Sequence, residues 1–449
     1  MLLSLTFIFI AILWIIIGTS SFKLHPFLVL LSAALLLSFL IGLPLNEIPQ
    51  VIGGGFGKII QNIGLLILYG TVIGAALEKS GGTITIAKGL LRYLNRLPLP
   101  YVISSIGYLV SIPVFCDAAF VILSHLNKTL SQQTKTPLVG LTVALSTGLF
   151  APHVLVPPTP GPLAAAANLS LDNLFLLIAT GGSIAFILIL TGAAYAHYLS
   201  KKTPYVATQN VVDTKNPTEI RTSDDSPNFL RAISPIIVPI LLMCLGTLFS
   251  GNGLPKAFQS FLDFVTQPTN ALLVGMLLSF GLIKKQRKDF INNAVKIGIQ
   301  QAAPILIITG MGGALGAVIQ NIPLEAYAKS FTNLSAFGIL IPFLIAALLK
   351  TAQGSSTVAI ITTSSIIFPL LPVLGLDSEM GKVWAIMALG VGSMTISHAN
   401  DSYFWIVSQM GGMDVKTAYK THTLGTLIQG VVGFVVVFIA YAVWKLGWS

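Results

Sequence analysis

Charge is what this sequence has least of. Only 9% of its 449 residues are Asp, Glu, Lys or Arg, against about 25% in an ordinary soluble domain. So few charges cannot coat a soluble particle of this size, which excludes a soluble enzyme. Cysteine is scarce as well: Cys116 and Cys244 are the two in the chain, and both fall inside apolar stretches, so no disulfide framework is implied. No two potential ligands have zinc spacing, and no metal site or organic cofactor is expected. The first apolar segment, Leu2 to Ile17, lacks a basic leader and an A-x-A cleavage site, so it is expected to be a retained helix.

Apolar residues fill the space that charge leaves. They make up 54% of the chain, the mean hydropathy is +0.85, and runs of about twenty residues, one bilayer span each, recur from end to end. The fold class is therefore an all-α polytopic membrane protein. Helices are predicted at 2–18, 25–43, 59–77, 174–198, 232–250, 264–283, 297–319, 333–349 and 422–443. Regions 100–171 and 351–410 are apolar yet interrupted by Gly, Pro and polar clusters, and they leave open whether the chain crosses or re-enters there. Counting such pieces, about 10–14 membrane segments are expected.

The net charge of +10 does not indicate nucleic acid, because the cations sit in short gaps between apolar runs, as the positive-inside rule produces. Lys79, Lys88, Arg92 and Arg96 mark one cytoplasmic loop, and Lys284, Lys285, Arg287 and Lys288 another. Lys88, Arg92 and Arg96 recur every four residues, as one basic face of a surface helix. The one long hydrophilic stretch, 201–231, reads as a cytoplasmic linker between transmembrane halves at 1–200 and 232–449. The N-terminus then falls outside. Gly53–Gly57 lacks the Lys and Ser/Thr of a phosphate loop and reads as a turn.

The halves show a weak repeat. Gly64-Leu-Leu-Ile-Leu-Tyr-Gly70 aligns with Pro304-Ile-Leu-Ile-Ile-Thr-Gly310 at an offset of 240. The charge map sends the first helix of each pair in opposite directions, so the expected architecture is two inverted-topology repeats with interrupted helices or re-entrant hairpins. Such carriers bind substrate near midplane, where broken helices meet.

Irregular backbone at membrane depth must face protein or a water-filled cavity. The informative segments are Ile112-Pro-Val-Phe-Cys-Asp117, the proline-rich 151–162, Lys350-Thr-Ala-Gln-Gly-Ser-Ser-Thr357 and Ser397-His-Ala-Asn-Asp-Ser402. A carboxylate at mid-membrane costs about 2.5–3.5 kcal/mol, so Asp117 and Asp401 are candidates for proton coupling, with His398 as a third. The competing reading of Asp117 is a helix cap after Pro113. His153 suits a proton relay or a substrate hydrogen bond. Gln353, Gly354, Ser355, Ser356 and Thr357 offer an amide, hydroxyls and backbone N–H groups ahead of an apolar helix, a natural anion site. With His153, Asn400 and Ser402 they form the candidate substrate-binding set. Lys350 fits either a carboxylate partner or the cytoplasmic interface.

These segments resemble the gluconate permease (GntP) family over essentially the whole chain. The resemblance rests on Pro113-Val-Phe-Cys-Asp117, on 155–166, on Ala352-Gln-Gly-Ser-Ser-Thr-Val-Ala359, and on Ser397-His-Ala-Asn-Asp-Ser-Tyr-Phe-Trp405. It implies a proton-coupled importer of small hydroxylated acids in a bacterial inner membrane. Thr159 stands where that family often has a second His, Lys350 where it often has Arg, and Cys116 where it often has Phe. Lys for Arg replaces a planar fork with a point charge, so these positions bear on the ligand. The expected substrate is gluconate or a related hydroxylated monocarboxylate, with D-serine as the rival in the same family. Sodium coupling, stoichiometry and a homo-oligomeric state are left open. From another class, a membrane-embedded hydrolase would need Ser355 or Ser356 brought against His398 and Asp401.

Overall fold

The computed structural model describes residues 21–205, 226–249, 256–283, 287–322 and 338–448, with scattered positions between 6 and 18. Every regular element among them is helical, as lipid demands of a backbone that must satisfy its own hydrogen bonds. The first half runs α1 (Pro26–Leu40), α2 (Ile48–Lys79), α3 (Gly82–Tyr93), α4 (Leu99–Ser111), α5 (Cys116–Thr134), α6 (Leu138–Leu155), α7 (Pro160–Asn168) and α8 (Leu174–Lys202). The second half runs α9 (Phe229–Phe249), α10 (Lys256–Thr266), α11 (Pro268–Ser279), α12 (Arg287–Gln320), α13 (Leu340–Gln353), α14 (Ser356–Ile367), α15 (Glu379–Met394), α16 (Ser402–Met410) and α17 (Leu424–Trp448).

Among the described residues seven helical stretches are long and apolar enough to cross a membrane. They are eight if Phe258–Thr266 and Pro268–Ser279, bent by 70°, make one span. The shorter apolar helices α1, α4 and α13 accompany them. The bend falls in the run predicted at 264–283, because Pro268 disfavours helical backbone at Gln267. Of the predicted helix 333–349, residues 333–337 lie outside the described residues, as do 206–225 of the linker and Lys284 and Lys285. Lys88 and Arg92 are exposed on α3, with Arg96 exposed beyond its end.

One expectation is corrected. Gly53–Gly57 is not a turn but part of α2, which starts at Ile48, well before the predicted 59. Pro49 fits the first helical turn, where its missing N–H is no loss. Gly55 packs on α12, where an added Cβ would lie 2.6 Å from the Gly313 carbonyl oxygen. Further along, Thr71 Oγ1 donates to the Gly298 carbonyl at 2.9 Å. α2 and α12 therefore run antiparallel, held close by small residues, as in many membrane helix pairs.

The element order repeats. α2, α4, α5, α6, α7 and α8 match α12, α13, α14, α15, α16 and α17, each roughly 240 residues further on. The antiparallel α2–α12 contact is what an inverted repeat requires of equivalent helices.

The two interrupted regions are hairpins. Ser104 Oγ donates to Ala144 O at 2.8 Å and Ser111 Oγ to Leu149 O at 2.6 Å, so α4 runs parallel to α6. Asn127 Nδ2 reaches Leu141 O at 2.9 Å, and the Phe115 ring lies 6.2 Å from His153, so α5 returns antiparallel to α6. The chain turns at 112–115. In the second half Gly392 lies against the Phe343 carbonyl and Gly354 against Asn400, so α13 is parallel to α15. A short link at 375–378 brings α14 back, and this hairpin turns at Gly354 and Ser355. Both tips stop level with breaks in their neighbours: 156–159 between α6 and α7, and 395–401 between α15 and α16.

Candidate functional site

The second hairpin tip is fixed by one ion pair. Lys350 Nζ lies 2.6 Å from Asp401 Oδ2, with the two side chains 2% and 5% exposed. The ammonium also donates to Gly354 O at 2.7 Å and sits 5.5 Å from the centre of the Phe150 ring. Its three donors thus face a carboxylate, a carbonyl and an aromatic face, which is how a cation tolerates full burial.

Asp401 carries more than this pair. Oδ1 accepts from Tyr403 N at 3.0 Å, capping α16, and Oδ2 also accepts from Ser397 Oγ. Ser397 Oγ is 3.2 Å from His422 Nε2, and His422 Nδ1 is 3.1 Å from Ser146 Oγ. The Ser397 hydroxyl donates to Asp401, so it accepts from His422 Nε2, while Ser146 Oγ lies between His422 Nδ1 and the Val143 carbonyl. Tyr403 donates to Ser146 O at 3.0 Å, and its ring packs on Phe150, His422 and Phe120 at 5.2, 5.6 and 6.1 Å. The network therefore binds the two halves of the chain together.

The predicted residues fall into two groups, one at each hairpin tip. Asp401, Asn400 and His398 gather at the second tip: Asn400 Nδ2 and His398 Nε2 both meet Thr351 O, at 2.6 and 3.1 Å. Gly354 has a left-handed φ of +80° and lies against the Asn400 carbonyl, leaving no room for a Cβ. Ser355 caps α14 by accepting from Val358 N at 3.3 Å. Ser356 is buried, Thr357 half-buried, and Ser402 exposed. Gln353 is half-buried, yet neither of its amide atoms has a hydrogen-bond partner among the described residues.

Asp117 and His153 belong to the first tip. Asp117 follows the Phe115 N-cap in the first turn of α5, with Cys116 Sγ 3.6 Å from Oδ1, and lies within electrostatic reach of Asp401 and Lys350. His153 is buried, and its Nδ1 has no partner among the described residues. It lines a cavity of about 10 Å³ with Thr71, Phe115 and Thr159, about the room one water needs. The hydrolase constellation is not assembled: His398 faces Thr351 O, Asp401 is held by Lys350, Ser397 and Tyr403, and Ser355 serves as a cap.

Lys350, Ser397, His422, Tyr403 and Ser146 were not in the set predicted from sequence. His422 carried a readable signal, a lone His heading an apolar run, with Gln429 two turns further along the same face. It sits in the five-residue π turn Tyr419–Thr423, a feature common at functional sites.

Residues 3–443 match the model of the GntP family permease. The chain is 30% identical over 441 residues to the Pseudomonas aeruginosa gluconate permease, covering 96% of each protein. It is 28% identical over 442 residues to the Escherichia coli D-serine transporter DsdX, again over 96% of each. Among solved structures it resembles the Alcanivorax borkumensis YdaH transporter, with a TM-score of 0.67 over 95% of this chain and 99% of that one. At 14% identity that likeness is one of fold.

Proposed function

We propose, from the premise that this chain belongs to the GntP family of permeases and is a multi-pass membrane transporter, that it imports a hydroxylated monocarboxylate, gluconate first, together with a proton. The observation that carries this reading is the buried Lys350–Asp401 pair at a hairpin tip, beside the unpartnered amide of Gln353.

An anionic substrate offers Lys350 a second carboxylate. When the substrate carboxylate takes the ammonium, the buried Asp401 loses its counter-ion, and it must bind a proton or remain an isolated buried charge. Substrate and proton then load together, because each makes the other's place favourable. Ser397 and His422 hold Asp401 in place during the exchange. Asp117, across the site, is a second proton-binding carboxylate. Gln353, Thr357, Ser356 and His153 receive the substrate hydroxyls, with Asn400 and Ser402 at the exposed edge. The loaded carrier is neutral at its centre and can change the side to which it opens. No bond is made or broken in the substrate. The linker and basic loops face the cytoplasm of a bacterium, and the N-terminus faces outward.

A D-serine carrier is the second reading, favoured by the two carboxylates Asp117 and Asp401 near one site, which suit an ammonium group. Uptake of radiolabelled gluconate into proteoliposomes tests the choice. Accumulation driven by an inward proton gradient, unmoved by a sodium gradient and by excess D-serine, supports the proposal. Accumulation of D-serine alone, or driving by sodium alone, overturns it.

A further inference from the structure

A second polar cavity lies away from the hairpin tips, between the long helices α2 and α12 and the pieces α7 and α14. It has a volume of about 130 Å³, and its polar lining is Lys58, Asn62, Asn168, Ser170, Gln320 and Ser365. It adjoins a cavity of about 470 Å³ that shares Lys58, Asn62 and Ser170. Lys58 is about 30 Å from Lys79 along α2 at 1.5 Å per residue, so the cavity opens on the face opposite the basic loop.

The lining has two chemically distinct ends. Lys58 is the one cation of the lining. Asn168 is 7% exposed, and its Nδ2 is committed to Ile361 O at 3.2 Å, Ser364 Oγ at 2.8 Å and Ser365 Oγ at 3.0 Å. Its Oδ1 has no partner among the described residues. With its NH₂ committed, the amide cannot flip, so Oδ1 is a fixed acceptor buried in the cavity wall, reached by a hydroxyl after a small shift of the lining side chains. A fixed acceptor takes an O–H group and repels a second carboxylate. Gly54, Gly55, Gly312 and Gly313 complete the lining with backbone rather than side chains.

We propose that this cavity is an outer docking site for the hydroxylated carboxylate, with the carboxylate at Lys58 and a hydroxyl at Asn168, occupied before the substrate reaches the hairpin tips. The proposal rests on the carrier reading above. Because Lys58 is solvent-exposed, its attraction is screened by salt and acts on capture more than on turnover.

Two readouts test it. In proteoliposomes, Lys58→Gln should raise KM for gluconate about threefold to tenfold at low salt, leave kcat within about twofold, and erase the salt dependence of KM. Independently of transport, a Gln320→Cys, Cys244→Ala protein is modified with a membrane-impermeant thiol reagent. Gluconate should slow that modification, glutarate should not, and adding Lys58→Gln should remove the protection. Protection without any gluconate uptake still supports the docking site while sinking the carrier assignment. Normal gradient-driven uptake with KM unchanged in Lys58→Gln and no protection at Gln320→Cys overturns the docking site and leaves the carrier assignment standing. Equal protection by glutarate and gluconate overturns the role given to Asn168.

Discussion

Lys350 and Asp401, 51 residues apart in the chain, meet at 2.6 Å inside the protein and tie the tip of one helical hairpin to the break in its neighbour. The second hairpin tip is organised around this contact: Gly354 shares the ammonium, Ser397 and Tyr403 share the carboxylate, and Phe150 lies beside the cation.

Removing one partner leaves the other as an uncompensated buried charge. Lys350→Met is expected to destabilise the protein by about 3–5 kcal/mol and to abolish uptake. The double variant Lys350→Met, Asp401→Asn should recover most of the lost thermal stability and none of the uptake. Thermal unfolding in detergent, with the two single variants alongside, checks this. Additive losses in the double variant would speak against the pair.

Gln353 is expected to separate function from folding. Its amide makes no hydrogen bond within the described protein, so Gln353→Leu removes buried polar atoms that nothing compensates and should leave stability unchanged or slightly raised. Uptake should suffer: a KM increase of about tenfold is expected, the loss of one substrate hydrogen bond to a neutral group. An unchanged KM would remove Gln353 from the site.

Gly354 has the opposite character. With φ +80° and no room for a Cβ against Asn400, Gly354→Ala should cost about 2 kcal/mol or more and disrupt the Thr351 carbonyl contacts of Asn400 and His398. Both lower Tm and lost transport are expected, measured on the same preparation.

The hairpins make a topological prediction. Residues flanking the first hairpin, Arg96 and Lys135, should be accessible as cysteines from one side of the membrane. Asn321, just past the end of α12, and Asp377, just before α15, should be accessible from the other. Labelling intact cells with an impermeant reagent in a Cys244→Ala background reads this directly. Labelling of all four from one side would contradict inverted repeats.

Much of the scaffold was legible in the sequence because lipid imposes a coarse rule: long apolar runs become helices, and Pro or polar clusters at depth mark breaks. α8 and α9 were visible to within four residues at either end. α2 was misjudged at its start because glycine signals a turn in water and close helix packing in a membrane, and only the partner α12 decides between them. The turn-back of the hairpins is set by which helix lies alongside, and no local signal carries that. In the site, Asp401, Asn400 and His398 announced themselves by crowding. Lys350 did not, since a lysine at the end of an apolar run equally suits a membrane interface, and its pairing spans residues 350 to 401. His422 could be singled out as a lone His heading an apolar run, but its role could not, because its partners Ser146 and Ser397 come from distant segments.

In the proposed cycle the coupling proton goes to Asp401 when the substrate carboxylate displaces it from Lys350. The most direct measurement compares two transport modes of Asp401→Asn in proteoliposomes: exchange of labelled for unlabelled gluconate, and net accumulation driven by a proton gradient. Exchange is expected to persist, because Lys350 remains available to the substrate, while gradient-driven accumulation is lost. Proton-driven accumulation at the wild-type level in Asp401→Asn would contradict this cycle.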